Sequence, residues 1–285
     1  MDIATSKNGM RSLKGFFALL VVFLYAPLVL LVIFSFNYNN LPVFPLKGFT
    51  LRAYEQFASN SELRTSLATS AKVAAVSSLI AVALGVVAAI ALVRRRFAAK
   101  SAVSALLISP LVIPYIALAI GLLIFINVDL PFVGSFGLGL KAIIFGHVVV
   151  SLPYTILVLA PRLERIDVRL EDAARDLGAG AYRTFRSITL PLITPAIVSA
   201  FLFAFTLSFD EVVIASFVVG EDVTFPIYLL SQLRFPTLLP QVLAVAVIVM
   251  GVSVIVVLVA EVGRRVLERK IGAELEASGT APSAA

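Results

Sequence analysis

Two carboxylates stand where an apolar sequence does not ordinarily keep them. Asp210 and Glu211 interrupt a stretch, Leu192 to Val219, that holds no other charge. An ionised acid within a membrane span is costly, and it usually faces a cavity or a partner. In that setting the pair would attract cations. Phe203 lies seven residues before Asp210, on the same helical face, so a ring would stand beside the acid and offer a cation–π contact. Residues adjacent in a helix point about 100° apart, which sets Asp210 rather than Glu211 toward any pathway shared with Phe203. A second reading is structural. The helix breaks at Phe209 and Asp210 caps a short outer helix.

Other chemistry is sparse. His147 is the one histidine, and there is no cysteine, so thiolate nucleophiles, disulfides and a structural zinc site are excluded. His147 either lines the pathway or hydrogen-bonds between helices. No glycine-rich loop ending in Lys-Ser/Thr occurs, so ATP would have to be bound by a separate subunit. No cofactor site, no metal site and no catalytic cluster is expected, and the chain reads as a transport subunit rather than an enzyme.

The remaining polar feature is a twenty-one-residue island, Glu171 to Pro191, with sequence EDAARDLGAGAYRTFRSITLP. Leu170, Ala173, Ala174 and Leu177 repeat at i, i+3, i+4 and i+7 and predict a short helix with an apolar stripe. Gly178 follows, where a helix ends cheaply in a left-handed residue. Ala181 to Ile188 suits a second short helix, which Pro191 either stops or leads into the next span. Taken alone, this is an amphipathic hairpin at the lipid surface, with Glu171 and Arg175 as an i, i+4 pair. The run also resembles the EAA loop of the inner-membrane permease subunits of ABC importers. Glu171, Ala173, Gly178, Ala179, Phe185, Ile188, Leu190 and Pro191 match its order and spacing; Asp172 departs from it, where alanine is usual. The resemblance implies a loop that couples to an ATPase, with Glu171 on the docking surface.

These residues must be positioned by membrane helices. The chain is 60% hydrophobic and only 14% charged, which excludes an ordinary soluble domain. A leader, residues 1–14, precedes an all-α domain, 15–261, with six predicted transmembrane helices and the loop 162–191 within it. A charged tail, 262–285, follows, and its end is expected to be disordered. The predicted spans are Gly15 to Phe36, Val73 to Val93, Ser101 to Val128, Ala142 to Pro161, Leu192 to Val219 and Phe235 to Ala260, each long enough for a hydrocarbon core about 30 Å thick. Pro110 and Pro114 should kink or break the third. Leu51, Tyr54 and Phe57 suggest a short surface helix before the second. The first span is too long for a cleavable signal and should stay in place. Of the 23 Lys and Arg, 17 fall in the leader, the Arg94 to Lys100 turn, the loop and the tail. Positive-inside therefore puts both termini and the loop in the cytoplasm, and the net charge of +6 reads as topology rather than as nucleic-acid binding.

The resemblance reaches from about Leu46 to Leu258. GFTLRAY (Gly48 to Tyr54), ISPLVIP (Ile108 to Pro114), GHVVVSLPY (Gly146 to Tyr154) and SFDEVV (Ser208 to Val213) are similar to segments of the spermidine/putrescine branch. It implies a type I ABC importer transmembrane domain in a bacterial inner membrane, paired with a second permease subunit or a copy of itself, two ATPase subunits and an extracytoplasmic solute-binding protein. The implied cargo is a polyamine. An opine or other organic cation is the alternative within the branch. An ion-gradient-driven carrier is the alternative class, against which stand a single acidic pair and no internal repeat. Cysteines placed at Ser59 or Asp222 should react with an impermeant thiol reagent added outside the cell, and those at Ala99 or Ala179 should not. The reverse pattern would overturn the orientation.

Overall fold

A computed structural model describes residues 7–39, 43–128, 137–235 and 239–277. The start of the leader, most of the turn after the third span and the tail end expected to be disordered lie outside the described residues. All regular structure among the described residues is helical, apart from one isolated bridge between Asn37 and Phe49. Five helices are long and apolar enough to cross a membrane, and a sixth crossing is available as a bent pair.

In chain order, α1 (Lys7–Ser35), α2 (Arg52–Ser59), α3 (Ser61–Arg94), α4 (Lys100–Ile108), α5 (Tyr115–Asn127), α6 (Leu140–Glu164), α7 (Val168–Asp176), α8 (Ala181–Thr184), α9 (Leu190–Phe209), α10 (Val213–Val218), α11 (Phe225–Gln232) and α12 (Leu239–Ala277) make up the fold. Several begin outside the predicted apolar stretches. Helix α3 starts twelve residues before Val73, with Glu62, Arg64 and Lys72 on its polar first turns. Hydropathy registers only the part of a helix that lipid would cover, and backbone hydrogen bonding continues beyond it. The third span is broken at its prolines. A 3₁₀ turn, Ser109–Leu111, follows α4, and α5 leaves at 107° to it. Pro110 and Pro114 bracket the break, where each lacks the N–H that a continuous helix would need.

The chain divides into two units, Met1–Arg64 with Leu229–Val252, and Thr65–Tyr228 with Ser253–Ala285. In the first, the expected surface helix α2 is present. Tyr54 stacks on Phe36 at 5.1 Å and shares a 2.7 Å hydrogen bond with Ser35 at the end of α1.

The second unit carries the functional residues and is built on α6. Near the start of α6, Ala142, Ile143 and Val150 pack with Ala119, Leu122 and Ile126 of α5 and Ile214, Ala215 and Val218 of α10. Near its end, Leu159 and Leu163 pack with Val82 and Ala89 of α3 and Ile193 and Ala200 of α9. Small residues let these helices approach. Thr155 donates to the Ala81 carbonyl of α3 at 3.1 Å, and a Cβ added at Gly85 would stand 2.2 Å from the Thr155 hydroxyl oxygen. A glycine notch filled by a hydroxyl side chain is how helices in lipid gain close contact, because burial of apolar surface drives little association there. Gly146 serves α10 similarly, its missing Cβ being replaced by a methyl of Ile214. Gly85→Val should therefore destabilise the folded subunit by roughly 1–3 kcal/mol through overpacking, read as a lower thermal midpoint in detergent. Gly121→Ala, with nothing within 4 Å of the new Cβ, should leave that midpoint unchanged or slightly raised.

Candidate functional site

Two places bring chemistry-bearing residues together, one at the polar loop and one at the acidic pair. In the loop, Asp167 precedes α7 and caps it, its carboxylate accepting from the Arg169 amide at 2.9 Å. Gly178 adopts φ +84° just after α7, as a glycine C-cap requires. The Ala179 amide then donates to the Ala174 carbonyl at 2.9 Å and the Gly178 amide to that of Arg175 at 2.8 Å. Of the two readings of Pro191, the second holds: it leads into the next span. From α8 the chain passes through a π turn, Phe185–Thr189, directly into α9, with Leu190 and Pro191 in its first turn. The Leu190 amide reaches back to the Phe185 carbonyl. Such a widened turn fits ahead of a proline, which has no N–H to continue the ladder.

The face that α7 turns inward also differs from the predicted stripe. Leu177 is 89% exposed and Ala173 is exposed, whereas Glu171 is buried at 6%. Glu171 is thus not on the outer surface of the loop. Its carboxylate accepts from Arg94 Nε at 3.2 Å and from the Thr189 hydroxyl at 3.2 Å, and Arg175 stands 3.9 Å away. Arg94 also donates to the Ile166 carbonyl at 3.0 Å. The last residue of α3 therefore ties down the chain just before α7 and the carboxylate on it. Coulomb attraction between partly desolvated groups outweighs the modest apolar gain that would have turned Leu177 inward. Ala179 and Phe185 are half-buried, Phe185 against the lower core, while Leu177 and Tyr182 project outward.

At the acidic pair, α9 ends at Phe209 and the chain breaks before α10. Glu211, not Asp210, is the cap. Its Oε1 accepts from the amides of Val213 at 3.0 Å and Ile214 at 3.2 Å, and its Oε2 from Ala215 at 3.1 Å. Those three amides are the orphan donors at the start of α10. The carboxylate is buried at 7%. Asp210 is exposed, and its carboxylate makes no hydrogen bond to a described residue. Because the helix has ended, the 100° rule no longer separates the two acids. Both line one cavity of about 650 Å³ walled by α5, α9, the break and α12, with Tyr115, Phe203 and Thr206. Asp210 and Phe203 are thus brought together as the spacing predicts. Tyr154, outside the cavity lining, packs against Phe203 with its ring 5.3 Å away. Phe201, Phe205 and Phe209 form a separate row along α9, about one turn apart, and do not line the cavity.

His147 is buried at 1% exposure and hydrogen-bonds between helices, through Nδ1 to Ser208 at 2.7 Å. Ser208 in turn shares a 2.9 Å bond with Ser77 of α3. Arg94, Ser77, Ser208, Thr189 and Tyr115 were not singled out by the sequence. Arg94 looked like any positive-inside charge, and serines in a span look like packing residues. No group of three metal-ligating side chains occurs among the described residues. The open cavity offers one free carboxylate among rings and hydroxyls, an arrangement suited to holding an amine cation.

Residues 81–272 match the family model described as binding-protein-dependent transport system inner membrane component. The spermidine/putrescine transport system permease protein PotC of Escherichia coli (strain K12) is 33% identical over 248 residues, 87% of this chain and 91% of that protein. The putrescine transport system permease protein PotI of the same organism is 36% identical over 232 residues, 80% and 82% of the two chains. A crystal structure of a bacterial ABC transporter that imports the acidic polysaccharide alginate aligns with a TM-score of 0.65, at 17% identity, covering 88% of this chain and 97% of that one. That likeness shows the fold. Glu171→Lys would set a third cation against Arg94 and Arg175, so the loop should detach from the end of α3. Faster tryptic cleavage around Arg183 with the spans still protected is the expected result. Gly178→Val, costing of order 1–2 kcal/mol at the left-handed turn, should loosen only the turn and speed cleavage less.

Proposed function

The chain belongs to the binding-protein-dependent transport system inner membrane component family, and we propose that it is the permease subunit of a polyamine importer. The observation that carries the cargo assignment is the cavity where the carboxylate of Asp210 stands free beside Phe203. A polyamine bears several positive charges, and moving them through low dielectric without compensation is very unfavourable. Asp210 supplies a counter-charge, and the rings of Phe203 and Tyr115 offer contacts worth of order 1 kcal/mol each. Glu211 adds negative potential from the cavity wall but is committed to α10. The two relatives named for spermidine and putrescine support the same cargo and do not favour an opine importer or an ion-gradient carrier.

The chain pairs with a second permease subunit of different sequence, and the two frame one pathway. Two ATPase subunits bind on the cytoplasmic side, where the positive-inside distribution places both termini and the loop. Glu171, Ala173, Gly178, Ala179, Phe185, Leu190 and Pro191 form the coupling loop. Its outward residues, Ala173 and the exposed turn at Gly178, face the ATPase, while Glu171 fastens the loop to α3. Closure of the ATPase dimer pushes on α7. The motion passes to the spans by two routes, through Glu171 to Arg94 of α3 and along the continuous α8–α9 rod. A solute-binding protein delivers the cargo on the outer face, and its selectivity decides which polyamine enters.

Asp210→Asn removes the counter-charge with little change of shape. In proteoliposomes holding the complete transporter, putrescine uptake should fall about tenfold, corresponding to a charged contact of roughly 1.5 kcal/mol. Uptake at the wild-type rate would reduce Asp210 to a surface residue of the break. An anionic ligand copurifying with the binding protein would end the polyamine reading and leave the importer assignment standing.

A further inference from the structure

The break between α9 and α10 is spanned by one side chain from another helix. His147, on α6, reaches Ser208 on the α9 side through Nδ1 at 2.7 Å, and its Nε2 stands 3.6 Å from Oε2 of Glu211 on the α10 side. Asp210 lies between these two anchors. At 3.6 Å the second contact is beyond hydrogen-bond range, so it is electrostatic, and Nε2 has no other partner among the described residues. The two motifs that hold these residues, GHVVVSLPY and SFDEVV, are more than fifty residues apart in sequence and meet here.

The protonation pattern follows from the acceptors. Glu211 accepts three backbone N–H groups, spread over both oxygens, so it presents lone pairs rather than a proton toward His147. A neutral imidazole therefore directs Nε2–H at Glu211 and accepts at Nδ1 from the Ser208 hydroxyl. Ser208 then accepts from Ser77 of α3. Two hydrogen bonds, Ser77 to Ser208 and Ser208 to His147, and the electrostatic contact of His147 with Glu211 join α3, α9, α6 and the start of α10 in an apolar interior. A chain of this kind is costly to bury unless each member is met. An apolar side chain at position 147 would pack as well and would leave the break unspanned.

We infer that His147 is a positioning residue for cargo translocation, clamping the two sides of the α9–α10 break so that the carboxylate of Asp210 is held facing the cavity. His147 does not itself line that cavity and acts through Ser208 and Glu211. The inference rests on the reading of Asp210 as the cargo-facing group.

The test uses the complete transporter in proteoliposomes, with labelled putrescine as the probe. Glutamine at 147 places an amide nitrogen near the position of Nε2, and asparagine near that of Nδ1. His147→Gln and His147→Asn each keep one anchor and drop the other, so both should lose uptake, and His147→Phe, which keeps neither, should lose about tenfold, the loss expected for a contact to a charged group. Adding His147→Phe to Asp210→Asn should lower uptake no further than Asp210→Asn alone, because both changes remove one function. Wild-type uptake by the Gln or Asn variant, or multiplying losses in the double variant, would overturn the positioning role. If His147→Phe prevents assembly, the Gln and Asn variants still decide. Normal uptake by Asp210→Asn would instead sink the reading on which the inference stands, so the two failures are distinguishable.

Discussion

Within lipid every backbone amide must find a partner inside the protein, and the acidic site of the second unit is arranged around a place where a span stops short. When α9 ends at Phe209, the start of α10 is left with orphan donors in an apolar bundle. Glu211 meets three of them, and that solution creates a second demand, a buried negative charge. The demand is met by the partial positive end of α10 and by the imidazole of His147. Only because Glu211 is consumed in this way is its neighbour free to present an unpartnered carboxylate. The break, the cap and the cavity are thus one consequence of ending a helix inside the membrane.

A similar economy governs the loop. An acidic residue could stand on the outer face, exposed to any partner, or inward, against the end of α3. Arg94 decides the matter, because it supplies two donors at once, to Glu171 and to the Ile166 carbonyl. Together with Thr189 from the π turn, it makes the loop a continuation of the helices beneath it rather than a flap resting on a surface. Leu177 and Tyr182 stay exposed on either side of the Gly178 turn, among charged side chains such as Asp172, Asp176 and Arg183.

Much of the framework is legible in the amino-acid sequence because it follows from local rules. The spans declare themselves by hydropathy, the break near Pro110 and Pro114 by missing amides, and the turn at Gly178 by the need for positive φ. The juxtaposition of Phe203 with Asp210 follows from helical periodicity. What could not be read depends on residues distant in the chain. The apolar stripe of Leu170, Ala173, Ala174 and Leu177 would turn Leu177 toward the protein, but an arginine 77 positions before Glu171 outweighs it. The choice of Glu211 over Asp210 as the cap turns on where the helix ends, and nothing in the run SFDEVV shows whether it ends at Phe209 or one residue later. Ser77, Ser208 and His147 are individually unremarkable, and only packing shows that they form a chain.

The π turn at Phe185–Thr189 has a bearing on how such a sequence can change. An α-helix turns by about 100° per residue, and a π turn accommodates one residue beyond the regular repeat. The angular phase between the loop and α9 is therefore set by a single inserted position. A chain one residue shorter between Phe185 and Thr189 could form an uninterrupted α-helix with every span intact. Its loop would then be rotated by roughly a quarter turn, with Thr189 out of reach of Glu171 and a different set of side chains at the tip. Insertions and deletions in this segment act as a rotary adjustment, able to turn the loop without altering a residue inside the membrane.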